Sequence, residues 1–175
     1  MISALFRPRG WFFLVAVSCA ALLSYALYVQ HVEFLDPCPL CILQRIAFVW
    51  IGVIALVAGL HNPAKTGRWV YAGLLLLGSL AGAVIAGRHV WLQSLPPDQV
   101  PECGMGLNYM LETMPYADVL AQVFYGSGEC AQIDWTFAGL SMPWWTLIWY
   151  IGLALATLLV VAAAQKRNAG ETHHL

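Results

Sequence analysis

The chain has 175 residues, of which 61% are hydrophobic and only 10% charged, with a mean hydropathy of +0.72. Soluble domains carry about 25% charged residues, so this composition excludes an ordinary soluble protein. The net charge of −1 gives no sign of a nucleic-acid partner.

The missing charge is concentrated in four apolar stretches, about 11–30, 42–60, 69–87 and 144–164. Each is near the ~20 residues that a membrane-spanning helix needs. The expected fold is an all-α membrane protein, one domain over 1–175, built as a four-helix bundle. The first stretch has a basic start, and Ala16-Val17-Ser18-Cys19 faintly resembles a lipoprotein cleavage site. Its apolar run continues to Val29, however, which fits a retained span better than a cleaved signal.

Charge sorts the connections. Arg7 and Arg9 precede the first span, Lys65 and Arg68 fall between the second and third, and Lys166 and Arg167 follow the fourth. Six of the eight basic residues thus share one side, which the positive-inside rule makes cytoplasmic. Eight of the nine acidic residues fall on the other side: Glu33, Asp36, Asp98, Glu102, Glu112, Asp118, Glu129 and Asp134. Both termini, the loop at about 61–68 and the tail 165–175 are then expected inside. The loops at about 31–41 and 88–143 are expected outside, with Cys38, Cys41, Cys103 and Cys130.

The first outer loop is short. Pro37 and Pro39 bracket Cys38 and hold it out of helix, so the second span should open near Cys41. The inner turn carries Asn62-Pro63 and Gly67, which makes the second and third spans antiparallel neighbours. The second outer loop is long, and long loops are commonly functional. Pro96, Pro97, Pro101, Gly104, Gly106, Pro115, Gly126 and Gly128 forbid one continuous helix there. Leu107, Met110, Leu111 and Met114, then Val119, Leu120, Val123 and Phe124, recur at helical spacing and predict short interfacial helices. Trp135, Phe137, Met142, Trp144 and Trp145 should lead into the fourth span as an aromatic belt.

The cysteines separate by energetics. Cys19 lies mid-span, where a buried thiol is inert. A Cys38–Cys41 bridge closes four residues and would contribute roughly 2 kcal/mol by loop-closure entropy. That is a poor staple, whereas a Cys-x-x-Cys pair at a helix N-terminus, with Arg45 one turn deeper, favours a reactive thiolate. Cys103 and Cys130 span 28 residues counting both ends, worth roughly 3.5 kcal/mol. For that pair a plain staple and a labile, exchangeable disulfide both remain open. A four-thiolate zinc site is disfavoured because the second pair is 27 positions apart, and no metal is expected. Arg45 can donate to an anionic oxygen, Gln44 can hydrogen-bond near the motif, and His89 is either a donor or proton relay or an interfacial histidine. Arg88 reads as a snorkelling headgroup contact. His31 and His61 read as turn or interface residues, and His173 and His174 as part of a disordered tail.

Taken together, the chain resembles the DsbB family, the inner-membrane disulfide bond formation proteins of bacteria. The resemblance rests on four spans, Pro37-Cys38 through Cys41-Ile42, Arg45, the cysteine pair in the long second loop, and Met142-Pro143 before the last span. It implies a thiol:quinone oxidoreductase that reoxidises a DsbA-like periplasmic thioredoxin-fold protein and passes electrons to ubiquinone or menaquinone. It further implies redox disulfides Cys38–Cys41 and Cys103–Cys130. Cys103 would meet the partner, Cys130 would pass electrons to Cys38, and Cys41 would face the quinone beside Arg45 and His89. One departure is Gln44, where the family is often acidic. Two alternatives stand beside it. One is a reversed electron flow, as in relatives of vitamin K epoxide reductase. The other is a structural membrane protein with a stapled loop, for which Cys38→Ser and Cys41→Ser would be silent.

Overall fold

A computed structural model describes residues 8–101 and 107–171. Cys103, Arg7 and the histidines at 173 and 174 lie outside the described residues. Four helices are long and apolar enough to cross a membrane: α1 (Pro8–Val32), α2 (Pro39–His61), α3 (Lys65–Gln93) and α6 (Met142–Glu171). Their most apolar windows have mean hydropathies of 2.0 to 2.3. They are apolar on the outer face as well as the inner one, as a lipid-facing helix must be. Val17, Leu27, Val53, Leu77, Leu80, Val84 and Leu159 are all half or more exposed on the bundle surface. The fold is a four-helix membrane bundle.

Successive helices pack as neighbours, α1 on α2, α2 on α3 and α3 on α6. The shared core is Phe12, Val15, Cys19, Phe48, Ile51, Ala55, Leu75, Ala86, Tyr150 and Leu153. Cys19 is buried there among apolar side chains, away from the other cysteines. Small residues let the helices approach closely. At Gly82 an added methyl group would lie 2.4 Å from the ring of Tyr150, and at Gly78 2.7 Å from Trp50. Helices α1 and α6 touch much less. They are tied near the start of α1, where Trp11 Nε1 donates to Thr157 Oγ1 at 3.3 Å, and they part toward the cysteine end.

The α2–α3 turn ends α2 with Asn62 in the left-handed region (φ 46°), its N–H donating to Ala58 O at 3.0 Å. Pro63 then prevents the helix from continuing. At the other end α3 runs past Gly87 to Gln93, because Val90, Trp91 and Leu92 are apolar and the first breakers are Pro96 and Pro97. Arg88 is accommodated over the Trp91 ring, 4.2 Å from its centroid, and donates to Tyr125 O at 2.8 Å.

The long loop holds α4 (Leu107–Thr113), α5 (Tyr116–Tyr125), a 3-10 turn (Gly128–Ala131) and a two-stranded hairpin, β1 (Thr136–Phe137) with β2 (Leu140–Ser141). Met110, Val119 and Val123 form a small core packed against Leu43 of α2, while Leu120 and Phe124, one position further round the helix, stay exposed. The hairpin turn places Ala138 (φ 50°) and Gly139 (φ 79°) in the left-handed region, as a tight two-residue turn requires.

Candidate functional site

The first turn of α2 places two sulfurs. Pro39 occupies the first helical position, and Cys38 is the N-cap with extended backbone (φ −64°, ψ 162°). Cys38 Sγ takes the capping role, accepting from Cys41 N–H at 3.3 Å. The helix therefore opens at Pro39, and its N-terminal dipole bears on Cys38 as well as on Cys41. The two Sγ atoms are 2.9 Å apart. Among the described residues Cys19, Cys38, Cys41 and Cys130 are all free.

A third sulfur reaches the same place from 89 positions downstream of Cys41. Helix α5 stops at Gly126, whose φ of +83° and close approach to Leu92 suit glycine alone; an added methyl group would lie 2.4 Å from Leu92 Cδ1. The chain then turns through Ser127, with Cys130 N–H donating to Ser127 O at 2.9 Å. Cys130 is fully buried in a cluster with Cys38, Leu40, Ile85 and Leu92. Its Sγ, Cys38 Sγ and a ring nitrogen of His89 all lie within 4.8 Å of one another. Those atoms are by type a soft-metal donor set, and the same closeness is what thiol–disulfide exchange needs.

The electrostatics of the two loop sulfurs are opposite. Cys38 is pushed up from the ordinary thiol range, first by hydrogen bonding to Cys130, then to Cys41, and by burial. Cys130 is lowered to about 6, with the Cys38 thiol as the leading cause and the Leu40 and Ser127 donors adding to it against burial. The Cys38 thiol thus acts as a donor toward its neighbours, and the thiolate form of Cys130 is favoured.

Beside the sulfurs lies a cavity of about 700 Å³, filling the gap between α1 and α6. Cys38, Cys41, Gln44, Arg45 and His89 line it, and so do Leu22, Ala26, Phe48, Trp145 and Trp149. Arg45 is held on its α1 wall, donating to Gln30 Oε1 and, at 3.1 Å, to Ala26 O. Gln44 and His89 are buried and bonded to each other, Gln44 Nε2 to His89 Nδ1 at 3.1 Å. His89 is thus turned into the bundle interior. The hairpin closes one side, with Phe137 against Trp135 and Trp145 and with Trp145 Nε1 donating to Phe137 O at 3.1 Å.

The chain matches a family model described as "Disulfide bond formation protein DsbB" over residues 8–160. It is 54% identical over 144 residues to disulfide bond formation protein B of Hahella chejuensis, covering 82% of this chain and 87% of that one. The protein of the same description from Azoarcus sp. is 48% identical over 167 residues, covering 95% and 100%. That from Chromobacterium violaceum is 47% identical over 158 residues, covering 90% and 95%. The chain belongs to the DsbB family. It is accordingly a multi-pass membrane protein of disulfide bond formation with a redox role. Cys41 and Cys130 both bring their sulfurs close to Cys38 Sγ.

Some residues of the site were not singled out from sequence. Thr146 donates to Gln44 Oε1 at 2.6 Å, Tyr150 donates to Gln44 O at 2.7 Å, and Gln30 receives Arg45. Their one legible signal was polarity inside otherwise apolar spans.

Proposed function

We propose that this DsbB protein is a thiol:quinone oxidoreductase of the bacterial inner membrane. It takes two electrons from a periplasmic thioredoxin-fold dithiol of the DsbA kind and delivers them to ubiquinone or menaquinone. Both termini are cytoplasmic, following the basic residues, and the cysteine end faces the periplasm. The single observation that carries the reading is the order of sulfurs. Cys38 stands between Cys130 on the loop side and Cys41, and Cys41 borders a cavity walled by apolar side chains of α1 and α6.

The steps follow from that order. The partner's thiolate attacks Cys103 of a Cys103–Cys130 disulfide, and Cys130 leaves as a thiolate. Cys130 Sγ then attacks Cys38 of Cys38–Cys41; the 38–130 bond forms, the 38–41 bond breaks, and the electron pair stays on Cys41 Sγ. The partner's second thiol displaces Cys103, which attacks Cys130 and frees Cys38. One dithiol has then become a disulfide, and two electrons rest on Cys38 and Cys41. The quinone supplies the two-electron sink when bound. The cavity fits such a ring: its volume lies in the range of small-molecule sites, and its lining combines Phe48, Trp145, Trp149 and Leu22 with the polar Gln44, Arg45 and His89. Arg45, held by Gln30 and Ala26, presents a fixed positive charge where a reduced oxygen would carry negative charge.

The test mixes purified protein, a reduced periplasmic thioredoxin-fold protein and short-chain quinones of both types, and follows quinone absorbance. One quinone should be consumed per dithiol oxidised, and Cys41→Ser should stop consumption. No turnover with either quinone, or full turnover in Cys41→Ser, overturns the reading. In the same assay Arg45→Ala should raise the KM for quinone about tenfold or more, the size of one charge-assisted hydrogen bond. The KM for the protein dithiol should hardly move, and Arg45→Lys should recover only part of the loss.

A further inference from the structure

One chain of hydrogen bonds crosses three helices to reach the sulfurs. Thr146 of α6 donates to Gln44 Oε1 at 2.6 Å. Gln44 of α2 sets its Nε2 3.1 Å from Nδ1 of His89 on α3. The far nitrogen, His89 Nε2, is 3.8 Å from Cys38 Sγ. Gln44, His89 and Cys38 are all more than nine-tenths buried, so water does not substitute for these partners. Tyr150 holds the backbone of Gln44 in place through its carbonyl at 2.7 Å.

The direction of this chain follows from the orientation of the Gln44 amide, oxygen toward Thr146 and nitrogen toward His89. The Thr146 hydroxyl has one hydrogen, and its shorter contact is to Gln44 Oε1 rather than to Pro143 O at 2.9 Å. With its oxygen so engaged, Gln44 turns its amide nitrogen to His89. An amide nitrogen only donates, so Nδ1 must offer its lone pair. The hydrogen of the neutral ring is then on Nε2, facing Cys38 Sγ. Cys130 also presents its backbone carbonyl to this imidazole, a second acceptor that suits an N–H.

We infer that Thr146 and Gln44 are positioning residues that lock His89 in the Nε2–H tautomer, so that His89 donates to the Cys38 sulfur. The inference rests on the proposed function for its use, though not for its geometry. Cys38 is the sulfur common to the Cys38–Cys41 disulfide and the Cys38–Cys130 intermediate. When Cys103 attacks Cys130, the 103–130 bond forms, the 38–130 bond breaks, and the electron pair goes to Cys38 Sγ. A hydrogen-bond donor at that atom stabilises the departing thiolate, and a thiolate of lower basicity leaves faster. The amide matters here. A carboxylate at position 44 only accepts, and would pull the ring hydrogen to Nδ1, leaving a bare lone pair toward Cys38.

The test reads the tautomer directly, by nitrogen NMR of histidine-labelled protein in micelles, with His89→Asn to assign the signal. The wild type should show the hydrogen on Nε2. Gln44→Glu should move it to Nδ1, and Thr146→Val, which frees the amide to turn over, should give a mixture. Rapid-quench trapping of the Cys38–Cys130 intermediate should then show its decay slowed about tenfold in Gln44→Glu, the effect of one donor to a charged sulfur. A wild-type ring protonated on Nδ1 overturns the inference. So does a tautomer shift in Gln44→Glu with no change in intermediate decay. If Gln44→Glu does not fold, Thr146→Val carries the same readouts. Absence of quinone turnover alongside an Nε2–H ring would sink the proposed function and leave the tautomer standing.

Discussion

Cys130→Ala is expected to abolish quinone reduction driven by the protein dithiol, by about a thousandfold or ~4 kcal/mol of barrier, while quinone reduction driven by a small dithiol survives. The two reductants reach the centre by different routes. On the proposed route a folded partner meets the long loop, and its electrons reach Cys38 only through Cys130, which is fully buried against Cys38 and Leu40. A small dithiol can enter through the cavity that Cys38 and Cys41 line. Cys130 is also prepared for attack. Backbone N–H groups of Leu40 and Ser127 donate to it, and these remain when the leading donor, the Cys38 thiol, is consumed in a disulfide. Alanine keeps the size of the turn while removing the nucleophile, so the bundle should stay folded. The comparison needs one assay and two reductants. Equal loss with both would make Cys130 a packing residue, and no loss with the protein dithiol would break the relay.

What the sequence revealed, and what it hid, follows from how each feature is encoded. The spans are legible because twenty apolar residues in a row have few other uses. Cys38, Cys41 and Arg45 are legible because they fall within two helical turns of each other, so local periodicity places them together. The environment of His89 was not legible. Arg88-His89 looks like the polar edge of a span, and only the packed bundle shows Arg88 over Trp91 and His89 turned inward to Gln44. Thr146 and Tyr150 lie 102 and 106 positions from Gln44, a separation that no periodicity bridges. The hairpin at Thr136–Ser141 escaped notice because each strand is two residues long and its turn opens on an alanine in the left-handed region. That hairpin is one wall of the cavity, so the shape of the site was hidden even where its sulfurs were plain.

Gly82→Ala should destabilise the bundle and damage the site together. An added methyl group would sit 2.4 Å from the Tyr150 ring, closer than any side-chain carbon tolerates. Tyr150 cannot easily withdraw. It is fully buried, stacks on Phe48 at 4.5 Å between centroids, and donates its hydroxyl to Gln44 O. Overpacking of this kind costs about 1–3 kcal/mol, and losing the buried hydroxyl's partner costs about 1–3 kcal/mol more. The apparent Tm in detergent should therefore drop by several degrees, and quinone reduction should fall because Gln44 loses its backbone anchor. Gly152→Ala is the control: nothing lies within 4 Å of its added methyl group, so its Tm should hold or rise slightly. The decisive comparison is a double-mutant cycle. With Tyr150→Leu the ring is gone, and Gly82→Ala should then cost little, so the two changes should be strongly non-additive. A Gly82→Ala protein as stable as Gly152→Ala, or two fully additive losses, would mean that the Gly82–Tyr150 contact does not set the position of Gln44.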